Sequence, residues 1–236
     1  MNREQLAEVL RAASQLVDDR PIVMGSQAIL GTFEAEQLPE AATVSMEADV
    51  AFLEDSDRAK ADLVTGAIGE DSNFHQLRGY YAEGIHVETA RLPQGWQDRL
   101  ITQTVPAGPN GPGVLASFLE RHDLAAAKLA AFREKDIRFV TELVKAQLID
   151  PTVVHERLNQ TELHPVARQR ATALLEGLGA STATNQATAV DAGRLGIDEP
   201  NPAAEANRLR RSQQRADRAP GGGDGLGYQG PTRPSP

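Results

Sequence analysis

Apolar residues recur at helical spacing from the start of the chain. Leu6, Val9, Leu10, Ala13, Leu16 and Val17 fall on one stripe and predict a helix over about residues 2–18. Pro21 closes that pattern. The short run Ile22-Val23-Met24 predicts a buried strand, and it ends in Gly25-Ser26. Gln27-Ala28-Ile29-Leu30 then predicts a second helix that opens at Gly25 and stops near Phe33, with a loop at Leu38-Pro39-Glu40. Alternation takes over in residues 43–53. Ala48, Val50 and Phe52 fall on one side and Glu47 and Asp49 on the other, as on a half-buried strand. Residues 57–68 read as a helix with Asp57 as its N-cap, residues 80–84 as a turn and residues 85–90 as a strand. After a loop at Leu92-Pro93-Gln94-Gly95-Trp96, strands over 101–105 and 114–118 flank a turn rich in Gly and Pro.

From Arg121 the pattern is helical. Leu124, Ala127, Lys128, Ala131 and Phe132 share a face, and residues 136–148 carry a second stripe. Asp150-Pro151 and His164-Pro165 each open a further helix, because proline suits the first helical turn. The last helix is predicted to stop near Gly177 or Gly179. Beyond residue 180 Ser, Thr, Ala and Asn dominate, and the final stretch is rich in Gly and Pro. The organisation predicted is an α/β (α+β) core over 1–120, a helical subdomain over 121–179 and a mostly disordered tail over 180–236.

Composition narrows the chemistry. The chain has 236 residues, 40% of them apolar and only 4% aromatic, which predicts an aliphatic core. It has no cysteine, so disulfides, thiolate metal sites and cysteine nucleophiles are excluded. The absence of any run near the ~20 apolar residues of a membrane span predicts a cytoplasmic protein. The net charge is −9, and the tail from Arg194 is basic, so the acidity lies in the preceding residues. Such a body does not predict broad nucleic-acid binding, though it leaves room for a local basic groove.

The chemistry-bearing residues cluster early. A strand ending in Gly25-Ser26 before a helix offers free N–H groups to a phosphate. Glu47 and Asp49, two apart on a strand, put both carboxylates on one face, as divalent-metal phosphoryl chemistry requires. A solvated edge strand is the competing reading for that pair. Glu88 is the candidate third acid, sharing a strand face with His86. Lys128 lies on an otherwise apolar face, where its ammonium must either snorkel or find an anion. Asp123 and Asp136 stand where helix caps are wanted.

Four stretches resemble a known family. These are Val23-Met24-Gly25-Ser26-Gln27-Ala28-Ile29-Leu30, Ser45-Met46-Glu47-Ala48-Asp49-Val50, residues 92–100 beginning Leu92-Pro93-Gln94-Gly95-Trp96, and residues 122–136 beginning His122-Asp123-Leu124-Ala125-Ala126-Ala127-Lys128. Together they resemble the nucleotidyltransferase-fold DUF6036 family, relatives of AbiEii-type and MenT-type nucleotidyltransferase toxins. The resemblance implies a mixed sheet with flanking helices and a helical C-terminal part. It implies metal binding by Glu47 and Asp49, and phosphate contacts by Ser26 and Lys128. The leading reading of the residues is Mg²⁺ (or Mn²⁺) held by Glu47 and Asp49, the phosphates of an NTP such as ATP held by Ser26, Lys128 and the N–H groups at Gly25, and Glu88 as general base or third ligand. The first metal acid of the family is usually Asp and here is Glu47. The acceptor implied is RNA (tRNA among them), protein or a small molecule, and the partner of a toxin would be a cognate antitoxin. The alternative is a nucleotide-binding or interaction module on the same fold that has lost transfer.

Overall fold

The computed structural model describes residues 1–109 and 111–194, with side chains as far as Ser181. Met1–Gln186 form one compact unit. A second unit begins at Ala187, and only its helical backbone to Arg194 is described.

Helix α1 (Arg3–Val17) begins with a capping box between Asn2 and Gln5 and buries Leu6, Val9, Leu10 and Ala13. Strand β1 (Ile22–Val23) runs into a six-residue 3₁₀ segment, Ser26–Gly31, where a longer α-helix was expected. Gly25 and Gly31 bound the apolar stretch so closely that a single tight segment fits between them. A one-turn helix α2 (Glu40–Thr43) follows Pro39, so strand β2 (Glu47–Ala51) is shorter than the alternation suggested. Helix α3 (Ala59–Ile68) is not capped by Asp57 in the expected way. Arg58 takes the left-handed cap position, and the buried Asp55 carboxylate accepts from Lys60 and Ala61 N–H at 2.9 Å each.

The next stretch departs most from expectation. After α4 (Asn73–Arg78), strand β3 is Tyr81–Gly84, where a turn was predicted, and residues 87–89 form a 3₁₀ turn, where a strand was predicted. Strands β4 (Ile101–Val105) and β5 (Val114–Phe118) form the expected hairpin. The helical part comprises α5 (Arg121–Ala131), α6 (Glu134–Lys145), α7 (Pro151–Asn159) and α8 (Pro165–Arg194). Helix α8 continues past Gly177 and Gly179. A glycine ends a helix by taking a left-handed turn, and here neither has positive φ. The expected disordered tail lies, from residue 195 on, outside the described residues.

The five strands form one mixed sheet in the order β3-β2-β1-β5-β4. β1 is antiparallel to β2 and parallel to β5, and β2 is parallel to β3. This is the predicted class, a mixed sheet with flanking helices and a helical C-terminal part. One face carries Val23, Ala48, Val50 and Phe52 into the main core beneath α1, each of them no more than 1% exposed. The opposite face carries Ile22, Met24 and Ala51 into a smaller cluster with Ile85, Leu92 and Leu100. Because side chains alternate, Glu47 and Asp49 join Ala51 on this second face.

Candidate active site

The site grows from the second face of the sheet. Register sets Tyr81 opposite Glu47 and Glu83 opposite Asp49, so all four side chains stand on one side of the parallel β2–β3 pair. Gly25, just after β1, closes the other flank. A Cβ built there would lie 1.6 Å from Asp49 Oδ2, so this position needs glycine for space, its φ of −83° being ordinary.

Helix α5 and the break behind it bring the positive charge. Phe132 turns into the left-handed region at φ 53° and ends α5, and the chain restarts at once as α6. Lys128, Arg133 and Lys135 are thereby all within electrostatic reach of Asp49. Lys128 is 15% exposed, with its Nζ 3.4 Å from Asp136 Oδ1 and 5.7 Å from the centre of the Phe139 ring. Asp136 is buried and also accepts from Arg133 Nε at 2.6 Å. It therefore holds two cations and does not serve as a cap. Asp123 is not a cap either: Glu120 caps α5, while the buried Asp123 takes a bidentate bond from Arg99 at 2.8 and 3.0 Å and faces Arg157 at 3.1 Å.

Two hollows meet at Lys128. One, of about 360 Å³, is lined by Met24, Gly25, Asp49, Lys128 and Arg133, with Thr89 and Arg91 across it. The other, of about 500 Å³, is lined by Ser26, Ser45, Lys128, Lys135, Asp136 and Arg138. The structure thus brings Gly25 and Asp49 to one hollow and Ser26 to the other, with Lys128 lining both and Glu47 beside Asp49 on β2. Ser26 lines the second hollow, but the helical N-terminus expected there is a short 3₁₀ segment. Glu88 stands apart from that expectation: it sits on the 3₁₀ turn, 87% exposed, with His86 Nδ1 3.8 Å away. Glu83 occupies the position on the neighbouring strand that was sought for Glu88.

Electrostatics mark the acids as under-compensated. Burial pushes the Asp49 carboxyl above its ordinary range, against the pull of Lys128, Lys135 and Arg133. Glu47 is raised by burial and then by Asp49, and Glu83 by burial and then by Asp49. Tyr81 is raised by burial and then by Glu47. No cation of the described residues lies within ion-pair distance of Glu47 or Asp49; Lys128 and Arg133 are both engaged with Asp136. A half-buried carboxylate pair without a partner fits a hard cation. Among the described residues no three or more His, Asp or Glu side chains are grouped to hold a metal by themselves. Mg²⁺ ordinarily takes one or two carboxylates and fills its shell with water and substrate phosphate, so the pair still suits it.

The family model for nucleotidyltransferases of unknown function (DUF6036) matches residues 4–176, which covers the sheet, both hollows and most of the helical part. The chain belongs to the DUF6036 family. No curated protein and no solved structure matches it significantly. Among the described residues of this DUF6036 protein, no helix is long and apolar enough to cross a membrane. Sequence reasoning missed Glu83, Arg133 and Lys135. Glu83 lay in a segment read as a turn. The two cations lie at a helix break whose only local signal is the charged run Arg133-Glu134-Lys135-Asp136.

Proposed function

We propose that this DUF6036 protein transfers a nucleotidyl group from an NTP to an acceptor, with Mg²⁺ or Mn²⁺ held by Glu47 and Asp49. The observation that carries the reading is the Glu47–Asp49 pair, half-buried and without a cation in ion-pair distance among the described residues, with Asp49 sharing a hollow with Lys128 and Arg133 and both acids feeling the charge of Lys135. Glu47 and Asp49 would hold the ion, and the chemistry it would supply there is neutralisation of charge on the phosphate oxygens. Lys128 and Arg133 would stabilise the charge that develops on the leaving pyrophosphate, and the Ser26 hydroxyl would donate to a phosphate oxygen. Gly25 lets the triphosphate and Asp49 approach the same backbone. An acceptor hydroxyl oxygen forms the new bond to the α-phosphorus as the α–β bridging P–O bond breaks. The hydroxyl proton passes to Glu83, which takes the base role first considered for Glu88, and pyrophosphate departs. The acceptor would be an RNA such as tRNA, a protein or a small molecule, and kinship with AbiEii-type and MenT-type toxins, with an antitoxin partner, belongs to this same proposal.

The test is incubation with each α-labelled NTP, Mg²⁺ or Mn²⁺, and total RNA or cell lysate, followed by a search for labelled product. Lys128→Ala should reduce labelling at least ~10²-fold, as expected for loss of a charge-stabilising donor, while the melting temperature changes little because Asp136 keeps Arg133. Saturable NTP binding without turnover under any metal would instead make the chain a nucleotide-binding module on this fold.

A further inference from the structure

We infer that the hollow between α1 and the β4–β5 hairpin binds a small organic carboxylate. The carrying observation is Arg11. It is 6% exposed, yet no carboxylate of the described residues lies within ion-pair distance of its guanidinium. Nη1 donates to the Pro106 carbonyl at 2.9 Å. Nε is sealed from water and has no partner. The guanidinium lies so close to Gly108 that a Cβ there would sit 2.7 Å from Cζ. Pinning the hairpin turn explains the bond to Pro106. It does not explain a full charge, because a neutral amide would make the same bond without the cost of burying a cation.

That cation forms part of the wall of a hollow of about 380 Å³. Leu6, Leu10, Leu30, Val105 and Phe118 supply the apolar lining. Arg3, on the same rim, is already spent: it donates to the Leu30 carbonyl at 3.0 and 2.8 Å and pairs with Glu34 at 2.9 Å. Glu4 is also on the rim and does not pair with Arg11. The size suits a small molecule. One uncompensated positive charge calls for a monoanion, and guanidinium recognises a carboxylate well. The apolar walls call for an aliphatic or aromatic body behind that carboxylate. A phosphate dianion would bring more charge than Arg11 balances.

The test uses the full chain with hexanoate and phenylacetate as probes, and hexanamide and phenylacetamide as neutral controls, in calorimetric titration and thermal shift. Both carboxylates should bind saturably and raise the melting temperature, and the amides should bind at least tenfold more weakly, about 1.4 kcal/mol. Arg11→Met should abolish the response. Because that change also removes the hairpin pin, Ala7→Phe is the companion variant: it fills the hollow from α1 while leaving Arg11 and its bond to Pro106 in place. A folded Ala7→Phe protein should lose carboxylate binding. Absence of binding by either carboxylate, equal binding of acid and amide, or an undiminished response in folded Ala7→Phe would each overturn the inference.

Discussion

Gly25 and Asp49 show how far one residue constrains another. The carboxylate occupies the space where any larger residue at 25 would put its Cβ. Gly25→Ala should therefore leave circular dichroism unchanged and displace Asp49, lowering transfer about 10²-fold in the labelling assay, the scale expected when a reacting group shifts by about 1 Å. Asp49→Asn should act differently. It should abolish transfer and any Mg²⁺-induced rise in melting temperature, yet make the metal-free protein more stable at neutral pH, because burial opposes the Asp49 charge more than Lys128, Lys135 and Arg133 favour it, and that charge also raises Glu47. A metal-free Asp49→Asn protein that melts lower than wild type would mean that Asp49 holds the fold together and not a cation. Legibility at this scale was uneven. Gly25, Glu47, Asp49 and Lys128 stood out because each breaks a local pattern. Arg133 and Lys135 did not, because charges at a helix break look like ordinary solvated ones.

At the scale of elements, the β2–β3 pair is the acidic unit, with Glu47, Asp49 and Glu83 all raised. A carboxyl whose folded pKa exceeds its unfolded value binds more protons in the native state. Stability from such groups is full below the unfolded carboxylate range and is lost as pH rises through the folded pKa values. Melts of the metal-free protein across that range should show this decline, and Asp49→Asn should make it shallower. The comparison between the two proteins matters, since Asp19 and Glu120, both lowered, push in the opposite direction. The helical part has its own test. Asp123 is fully buried between Arg99 and Arg157, which are 24% and 21% exposed. Asp123→Asn should cost about 3 kcal/mol, the low end for a broken buried pair because both guanidiniums still reach water, and chemical denaturation measures it. Elements were legible where pattern and punctuation agree, as in the hairpin over 101–105 and 114–118 with its Gly/Pro turn. Strand β3 was hidden for a physical reason. Its inward residues are Ala82 and Gly84, small because α3 lies against them: a Cβ on Gly84 would meet the Ala61 carbonyl at 1.9 Å. A strand whose buried face has almost no side chain shows no apolar stripe. The visible alternation in 85–90 drew the assignment, and the third acid, a few residues too far along.

For the molecule as a whole, the arrangement of β1 sets when the site can exist. This two-residue strand sits mid-sheet, with β2 on one side and β5 on the other. Its pairing with β5 joins Ile22 to Ser117, far apart in the sequence of the compact unit, and Lys128 and Arg133 follow β5 in the chain. Such non-local pairing forms late, because the loop between the partners must close before any contact rewards it. During synthesis, then, the ribosome would release Glu47 and Asp49 long before the cations that face them. The growing chain would carry an acidic strand with no counter-charge and would be chemically silent until β5 docks beside β1 and α5 folds over it. Under the proposed transfer activity, the order of segments would act as a timer: an acceptor would meet a working site only on a finished chain.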